Sequence, residues 1–143
     1  MVRPKASGRA PEVGREETER TEAERPEAHL PLTPATFHIL LALADGERHG
    51  YAIMQEVAER TEGAVRLGPG TLYGSLKRLL EAGLVAESAE RGGPASGDER
   101  RRYYRLTPLG LGVARAEARR LDAVVRAARQ KKLIGLEPAG GAA

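Results

Sequence analysis

The sequence predicts a mainly α-helical protein with one small β-hairpin, and three observations lead to this class. Four stretches of the 143-residue chain carry apolar residues at helical spacing. Two short stretches, residues 84–90 and 101–107, read as strands on either side of a Gly-containing loop, residues 91–100. Cap residues mark where helices begin. The resulting order, three helices, two strands and a fourth helix, is that of a winged helix-turn-helix with an added C-terminal helix.

The first two helices have clear boundary signals. Thr33-Pro34 supplies an N-cap residue followed by proline at the first helical position, and Asp45-Gly46 ends that helix. Its apolar residues lie on most sides, so it is buried in its own domain or covered by a second chain. The second helix follows His49-Gly50 as an amphipathic stretch, and Gly63 closes it.

The third helix, residues 70–82 within "GPGTLYGSLKRLLEAGLV", has two contrasting faces. On a helical wheel four leucines fall within one arc: Leu72, Leu76, Leu79 and Leu80. Small and cationic residues face the other way: Gly70, Thr71, Gly74, Lys77 and Arg78, with Tyr73 and Ser75 on the two borders. We therefore expect the leucines to anchor the helix to a core and the opposite face to meet another surface.

That opposite face has the chemistry of a helix that lies in the major groove of DNA. A helix N-terminus suits a phosphate, because its unpaired N–H groups and its dipole are positive. Thr71 and Ser75 can donate to phosphates or base edges, and Lys77 and Arg78 add charge. The alternative is an ordinary surface helix whose cations are in solvent.

The hairpin favours the nucleic-acid interpretation. Arg100, Arg101 and Arg102 stand where the predicted loop closes, with Arg91 on its other side. Clusters of this kind are usually only solvated, but these arginines fall where a wing would touch the phosphate backbone or the minor groove. Helix and hairpin together predict a surface that binds double-stranded DNA.

Thr107-Pro108 repeats the cap signature and starts a last helix that runs to about Leu133. One side of this helix carries a heptad-like spacing of apolar residues: Ala114, Ala118, Leu121, Val125 and Ala128. We expect this seam to join two copies of the chain into a homodimer. Packing onto the chain's own domain is the alternative.

The two ends of the chain differ from its middle. Residues 1–30 contain six Lys or Arg and seven Glu, so negative charges slightly outnumber positive ones there, whereas the whole chain has a net charge of +3. Because such a segment cannot bury enough apolar surface to offset chain entropy, residues 1–29 are expected to form a disordered, charged tail whose simplest role is solubility. The predicted organisation is this tail, a winged helix-turn-helix domain (30–107), a dimerisation helix (108–133) and a second disordered tail (134–143).

Several classes of protein are disfavoured by the composition. Without cysteine there is no disulfide and no thiolate site. The chain also has neither a long apolar span nor the apolar core of a signal peptide. We therefore expect a cytoplasmic protein that does not enter a membrane. His29, His38 and His49 lack metal-ligand spacing, and no nucleophile–base set or phosphate-binding loop stands out. We expect neither an enzyme nor a bound metal or cofactor.

Three motifs resemble the PadR family of bacterial transcriptional regulators: "HGYAIMQEV", "LGPGTLYGSLKRLLEAGLV" and "RRYYRLTPLG", in the family's order and spacing between about Leu32 and Ala128. The resemblance implies a dimeric repressor on an inverted-repeat operator, with the C-terminal helix packed against the partner's first helix. It also implies that Tyr73 contacts DNA. Tyr51 is expected to pack in the core rather than to reach the DNA backbone, and Tyr104 is expected to be the structural tyrosine of the hairpin.

Response to a small molecule is a further hypothesis that the resemblance raises. Family members bind phenolic acids or planar cationic drugs, the latter stacked on tryptophan, but this chain has no Trp and one Phe. Phe37 and its aliphatic neighbours are the candidate lining of an apolar cavity at the dimer centre. The alternative function is a winged-helix protein–protein interaction module that does not bind DNA.

Overall fold

The computed structural model describes residues 24–88 and 102–135. Four α-helices lie in these ranges: α1 (Pro34–Leu43), α2 (Gly50–Arg60), α3 (Pro69–Glu81) and α4 (Pro108–Gln130). Three short strands accompany them: β1 (Arg48–His49), β2 (Val85–Ser88) and β3 (Tyr103–Leu106). The predicted mainly helical fold, with a hairpin between the third and the last helix, is confirmed.

The predicted caps are present at two of the helices. The Thr33 hydroxyl accepts a hydrogen bond from the Thr36 N–H at 3.2 Å, and the Thr107 hydroxyl accepts one from the Gly110 N–H at 3.0 Å. At the other ends α2 stops at Arg60, before Gly63 turns the chain with a φ of +83°, and α4 stops at Gln130. The sequence therefore placed these helices correctly to within a few residues.

The sheet has one strand more than the sequence predicts. Its order is β1-β3-β2, with both pairs antiparallel; Val85 lies opposite Leu106, and Arg48 lies opposite Tyr104. A strand of two residues is too short to show an alternating pattern, which is why β1 was not predicted. Through β1 the hairpin is attached directly to the beginning of α2.

A single apolar core joins the helices to the sheet. Leu72, Leu76 and Leu79 of α3 are buried in a cluster that includes Ile39 and Leu40 of α1. Residues from the other elements complete the cluster: Ile53, Val57, Leu84, Val85, Tyr104 and Val113. The predicted anchoring of α3 by its leucines is confirmed for these three, Leu80 is half-buried, and Tyr104 is the buried tyrosine of the hairpin, as expected.

The last residues of the predicted N-terminal tail have a defined structure. Residues Pro26–His29 form a 3-10 helix that packs against α4, where Pro26 lies beside Gly112. Just beyond this helix the Leu32 N–H donates to the Glu117 carboxylate at 3.3 Å. Docking onto α4 orders a segment whose composition alone suggests disorder, so the tail boundary at residue 29 is corrected. Residues 1–23 lie outside the described part of the chain.

Candidate nucleic-acid interface

The solvent-facing side of α3 has the composition that the helical wheel indicates. Gly70, Thr71, Lys77 and Arg78 are exposed, and Gly74 is half-buried. A Cβ at Gly70 would have no atom within 4 Å, and one at Gly74 would meet only the Arg78 guanidinium at 3.9 Å. Neither glycine is required by packing, so both leave backbone bare on the exposed side of the helix.

The N-terminus of α3 is open to an incoming group. Gly68 occupies the N-cap position, no side chain caps the helix there, and Pro69 follows at the first helical position. The N–H groups of a first turn without a side-chain cap suit a phosphate oxygen, and the helix dipole adds to the attraction. Thr71 lies exposed beside them.

Ser75 is not on this exposed side. Ser75 is only 3% exposed, and its hydroxyl oxygen accepts a hydrogen bond from the Arg78 guanidinium at 3.3 Å. A helical wheel gives the direction of a side chain but not how far neighbouring elements extend over it. The prediction that Ser75 contacts DNA is therefore corrected to an internal position that supports Arg78.

Tyr73, on the other border of the helix, rests on the beginning of α2. A Cβ added to Gly50 would lie 2.8 Å from Cζ and 3.0 Å from Cε1 of Tyr73. The tyrosine is half-buried and packs against the core. The sequence motif "HGY" thus contains a glycine that makes room for a side chain of α3, a relationship that no local pattern in the sequence could indicate.

Tyr51 also differs from its expected place. It is 57% exposed, so the expectation that it packs in the core is wrong. Because it directly follows Gly50, on which Tyr73 rests, the exposed ring stands at the end of α2 nearest to α3. Tyr51 is therefore an exposed aromatic residue at the beginning of α2, next to the glycine on which Tyr73 rests.

A cleft of about 430 Å³ separates α3 from the hairpin. Lys77, Arg102 and Glu87 supply its charged groups, and its apolar lining comes from Tyr73, Leu76, Leu80 and Tyr104. Arg102 is an exposed residue, and its guanidinium Nη1 lies 3.0 Å from a carboxylate oxygen of Glu87.

The other predicted wing residues, Arg100 and Arg101, lie outside the described residues. Glu87 was not predicted as part of this surface, although its alternation with Val85 on β2 places both on one side of the strand.

The predicted seam on α4 is divided between two environments. Ala114 is buried in its own chain, Leu121 and Ala128 are half-buried, and Ala118 and Val125 are exposed. Val124, which the seam did not include, is 56% exposed. The first half of α4 therefore packs on its own domain, and the second half carries apolar residues into solvent. Phe37 of α1 is half-buried.

Other kinds of site are not found in the described part of the chain. No three of its His, Asp and Glu residues are grouped so that they could hold a metal ion. His38 lies 2.8 Å from Arg60 through its Nδ1, and partial burial, together with this cation, lowers the pKa of the imidazole. None of the helices described is long and apolar enough to cross a membrane.

Sequence relatives of this chain include one named as a transcriptional regulator. It is 39% identical over 90 residues to the transcriptional regulator Rv3488 of Mycobacterium tuberculosis, an alignment that covers 62% of this chain and 77% of that protein. It is 45% identical over 80 residues to an uncharacterized 37.1 kDa protein in transposon TN4556 of Streptomyces fradiae. That second alignment covers 56% of this chain but only 21% of the transposon protein.

Solved structures give the same result for the fold. A PadR family transcription regulator from Clostridium difficile R20291 superposes with a TM-score of 0.57 at 25% identity, over 66% of this chain and 94% of that one. RosR of H. salinarum superposes with a TM-score of 0.52 at 28% identity, over 69% and 79% of the two chains. The family model described as transcriptional regulator PadR-like matches residues 39–116, from α1 to the first half of α4. The chain belongs to the PadR-like family of transcriptional regulators, whose members generally bind DNA and are generally dimeric.

Proposed function

We propose that this protein is a homodimeric regulator that binds double-stranded DNA sequence-specifically, with α3 in the major groove and the hairpin on the neighbouring backbone. One observation carries the proposal: the buried leucines of α3 leave Thr71, Lys77 and Arg78 exposed on the side opposite the core, next to the hairpin that bears Arg102. A helix of this kind fits the major groove, and a flanking hairpin fits the phosphate path beside it.

The side chains divide into two roles. Lys77 and Arg102 line the cleft between α3 and the hairpin, so they suit the phosphate backbone, as do the open first turn of α3 and the exposed Tyr51. Thr71 and Arg78 lie on the outer face of α3 and suit base edges, Arg78 being able to pair with two acceptors of one guanine. Gly70 and Gly74 let the helix backbone approach closely. In the same proposal Arg100 and Arg101 extend the phosphate contacts of the wing.

The second half of α4 supports the dimer. Leu121, Val124, Val125 and Ala128 lie close together on one side of the helix, beyond the part that its own domain covers. A second copy would cover this side and place two recognition helices on half-sites about one DNA turn apart, and hence on an inverted repeat. Val125→Glu is expected to give a monomer in sedimentation velocity. Ala123→Glu, on the opposite side of α4, should leave the dimer intact; equal behaviour of the two variants contradicts this seam.

Repression and release by a small-molecule effector complete the proposal. A dimer seated on an operator blocks other proteins from that DNA, and an effector that widens or closes the dimer would change the spacing of the two recognition helices. The half-buried Phe37 on α1 is the aromatic residue available to line a cavity between protomers. Addition of phenolic acids to the complex of protein and operator, followed by anisotropy, tests release; a complex that persists at saturating effector contradicts it.

Selection of DNA from a randomised pool tests the central part. We expect the wild-type protein to enrich duplexes that contain an inverted repeat. Arg78→Ala should change the selected sequence and reduce the binding free energy on the original sequence by about 1–3 kcal/mol. Lys77→Ala should instead weaken binding to all duplexes alike. Arg119→Ala, an exposed arginine on α4, is the matched control and should change neither. A pool with no enriched sequence would support a protein–protein module instead.

A further inference from the structure

Gly50 is a glycine for reasons of space rather than backbone conformation. The described glycines with a positive φ are Gly46, Gly63 and Gly83, and Gly50 is not among them. It is buried, and a Cβ placed on it would overlap the hydroxyl end of Tyr73, with Cζ at 2.8 Å. Contacts of Cβ atoms below 3.0 Å force a displacement. The ring of Tyr73 therefore occupies the space between the beginning of α2 and α3.

Gly50 and the two residues before it, Arg48 and His49, also connect α2 to the hairpin. Arg48 and His49 pair with Tyr104 and Tyr103 of β3, and the His49 ring meets the Tyr103 ring edge-on with centroids 5.7 Å apart. His49 Nδ1 in addition accepts a hydrogen bond from the Ala52 N–H at 3.4 Å, which caps α2. The hairpin and the beginning of α2 therefore share one attachment point.

Arg48 fixes this attachment point to the helices. Its Nε donates to the Ala42 carbonyl oxygen at 2.7 Å, at the end of α1, and its Nη2 lies 2.7 Å from the Glu56 carboxylate on α2. Residues 48–50 are therefore in contact with α1, α2, α3 and β3. The contact between Gly50 and Tyr73 therefore joins α3 to the unit that carries the hairpin.

We infer that Tyr73 is a positioning residue, which governs DNA recognition by fixing the placement of α3 relative to the hairpin through its contact with Gly50. The inference rests on the proposed function, because it concerns how the two parts of that surface are aligned on one duplex. A recognition helix and a wing must match the major groove and the adjacent backbone at once. A small displacement of α3 would cost more on a selected sequence, where base contacts are made, than on an unrelated one.

The test uses the full chain, its Tyr73→Phe, Tyr73→Leu and Gly50→Ala variants, and the double variant of Gly50→Ala with Tyr73→Leu. Two probes are compared by anisotropy: a duplex selected by the wild-type protein, and a scrambled duplex of equal length. Tyr73→Phe keeps the ring on Gly50 and should bind the selected duplex within about twofold of wild type. Tyr73→Leu and Gly50→Ala should each reduce the ratio of the two affinities by about tenfold. In the double variant the ratio should fall by less than the product of these two reductions, because the smaller leucine makes room for the new methyl group.

The readouts separate positioning from the alternatives. The affinity ratio is measured at a temperature where thermal unfolding shows every variant folded, so loss of folded protein, which lowers both affinities equally, does not change it. Gly135→Ala, with nothing within 4 Å of its added Cβ, is the matched glycine control. Two results show that Tyr73 is not a positioning residue. One is that Tyr73→Phe reduces the affinity ratio as much as Tyr73→Leu does. The other is that the reduction in the double variant equals the product of the reductions in Gly50→Ala and Tyr73→Leu. Should Gly50→Ala fail to fold, the comparison of Tyr73→Phe with Tyr73→Leu still decides. A wild-type protein that binds neither probe overturns the proposed function itself.

Discussion

Arg102 and Glu87 meet across the hairpin in a contact with both carboxylate oxygens: Nη1 of Arg102 lies 3.0 Å from Oε2 and 3.2 Å from Oε1. Both residues line the cleft that also contains Lys77. A carboxylate therefore shares the cleft with the two cations that are proposed to follow the phosphate backbone. It orients Arg102, and at the same time its charge opposes an approaching phosphate.

Glu87→Gln is expected to strengthen DNA binding. Removal of the negative charge makes the cleft more positive, so the slope of log K against log salt should steepen by up to about one contact. Because exposed ion pairs contribute only about 0–1 kcal/mol to folding, the free energy of unfolding should change little. Anisotropy titrations of one duplex at several salt concentrations measure the effect. Arg102→Gln should act in the opposite direction, and an unchanged slope in Glu87→Gln contradicts the proposed path.

Gly74→Ala is expected to separate stability from binding. Alanine in a helix interior is favoured over glycine by about 1 kcal/mol, and the added methyl group makes only an ordinary contact with the Arg78 guanidinium at 3.9 Å, so the free energy of unfolding should rise. If the bare backbone of α3 approaches DNA, affinity should fall by about tenfold, which corresponds to about 1.4 kcal/mol. Urea unfolding and a binding titration on the same preparation measure both. A variant that is more stable and binds as tightly as wild type contradicts close approach at this position.

Gly110→Ala is expected to destabilise the fold, in contrast to Gly74→Ala. A Cβ at Gly110 would lie 2.9 Å from the Leu84 carbonyl carbon and closer still to its oxygen, and a backbone group cannot move aside without shifting the strand that follows. Overpacking of this kind costs about 1–3 kcal/mol, and here we expect the upper end. The shift in the urea midpoint checks it. A midpoint equal to that of wild type would mean that α4 does not sit on Leu84 in solution.

The fold was largely predictable because its signals are local. Thr33, Thr107 and the leucine period of α3 each act within one turn of helix, and each was interpreted correctly. What could not be predicted depends on contacts between distant residues. Nothing near Gly50 indicates Tyr73, nothing near Leu32 indicates Glu117, and the two residues of β1 show no pattern until β3 lies beside them.

The same distinction applies to the candidate surface. The helical wheel correctly separated Thr71, Lys77 and Arg78 from the buried leucines, because the direction of a side chain follows from helical geometry. At the borders of the wheel neighbouring elements decide exposure, so the wheel does not show that Ser75 is buried. Tyr51 is exposed although the sequence predicts it in the core, since aromatic character alone does not show that a partner surface exists.

Acid is expected to weaken the attachment of the N-terminal segment. Glu117 is 1% exposed, and the hydrogen bonds from Arg120 lower the pKa of its carboxyl below the ordinary value of 4.5, against the opposing effect of burial and with help from the Leu32 N–H. Because the folded pKa is lowered, the contribution of Glu117 is complete above the ordinary value and is lost as the pH falls through the folded value. The difference in unfolding free energy between wild type and Glu117→Gln should therefore shrink on acidification, and hydrogen exchange at Leu32 should rise. A difference that is independent of pH contradicts the role of this carboxylate.

The most direct test of the proposed DNA-binding surface is the salt dependence of the affinity of the wild-type protein for its selected duplex. If Lys77, Arg102 and the open turn of α3 meet phosphates, log K should fall linearly with log salt between about 50 and about 200 mM, with a slope of several units. Lys77→Ala should reduce that slope by about one, and Arg119→Ala should leave it unchanged. An affinity that hardly varies with salt, or equal slopes for Lys77→Ala and wild type, would show that the face of α3 opposite the core does not bind DNA.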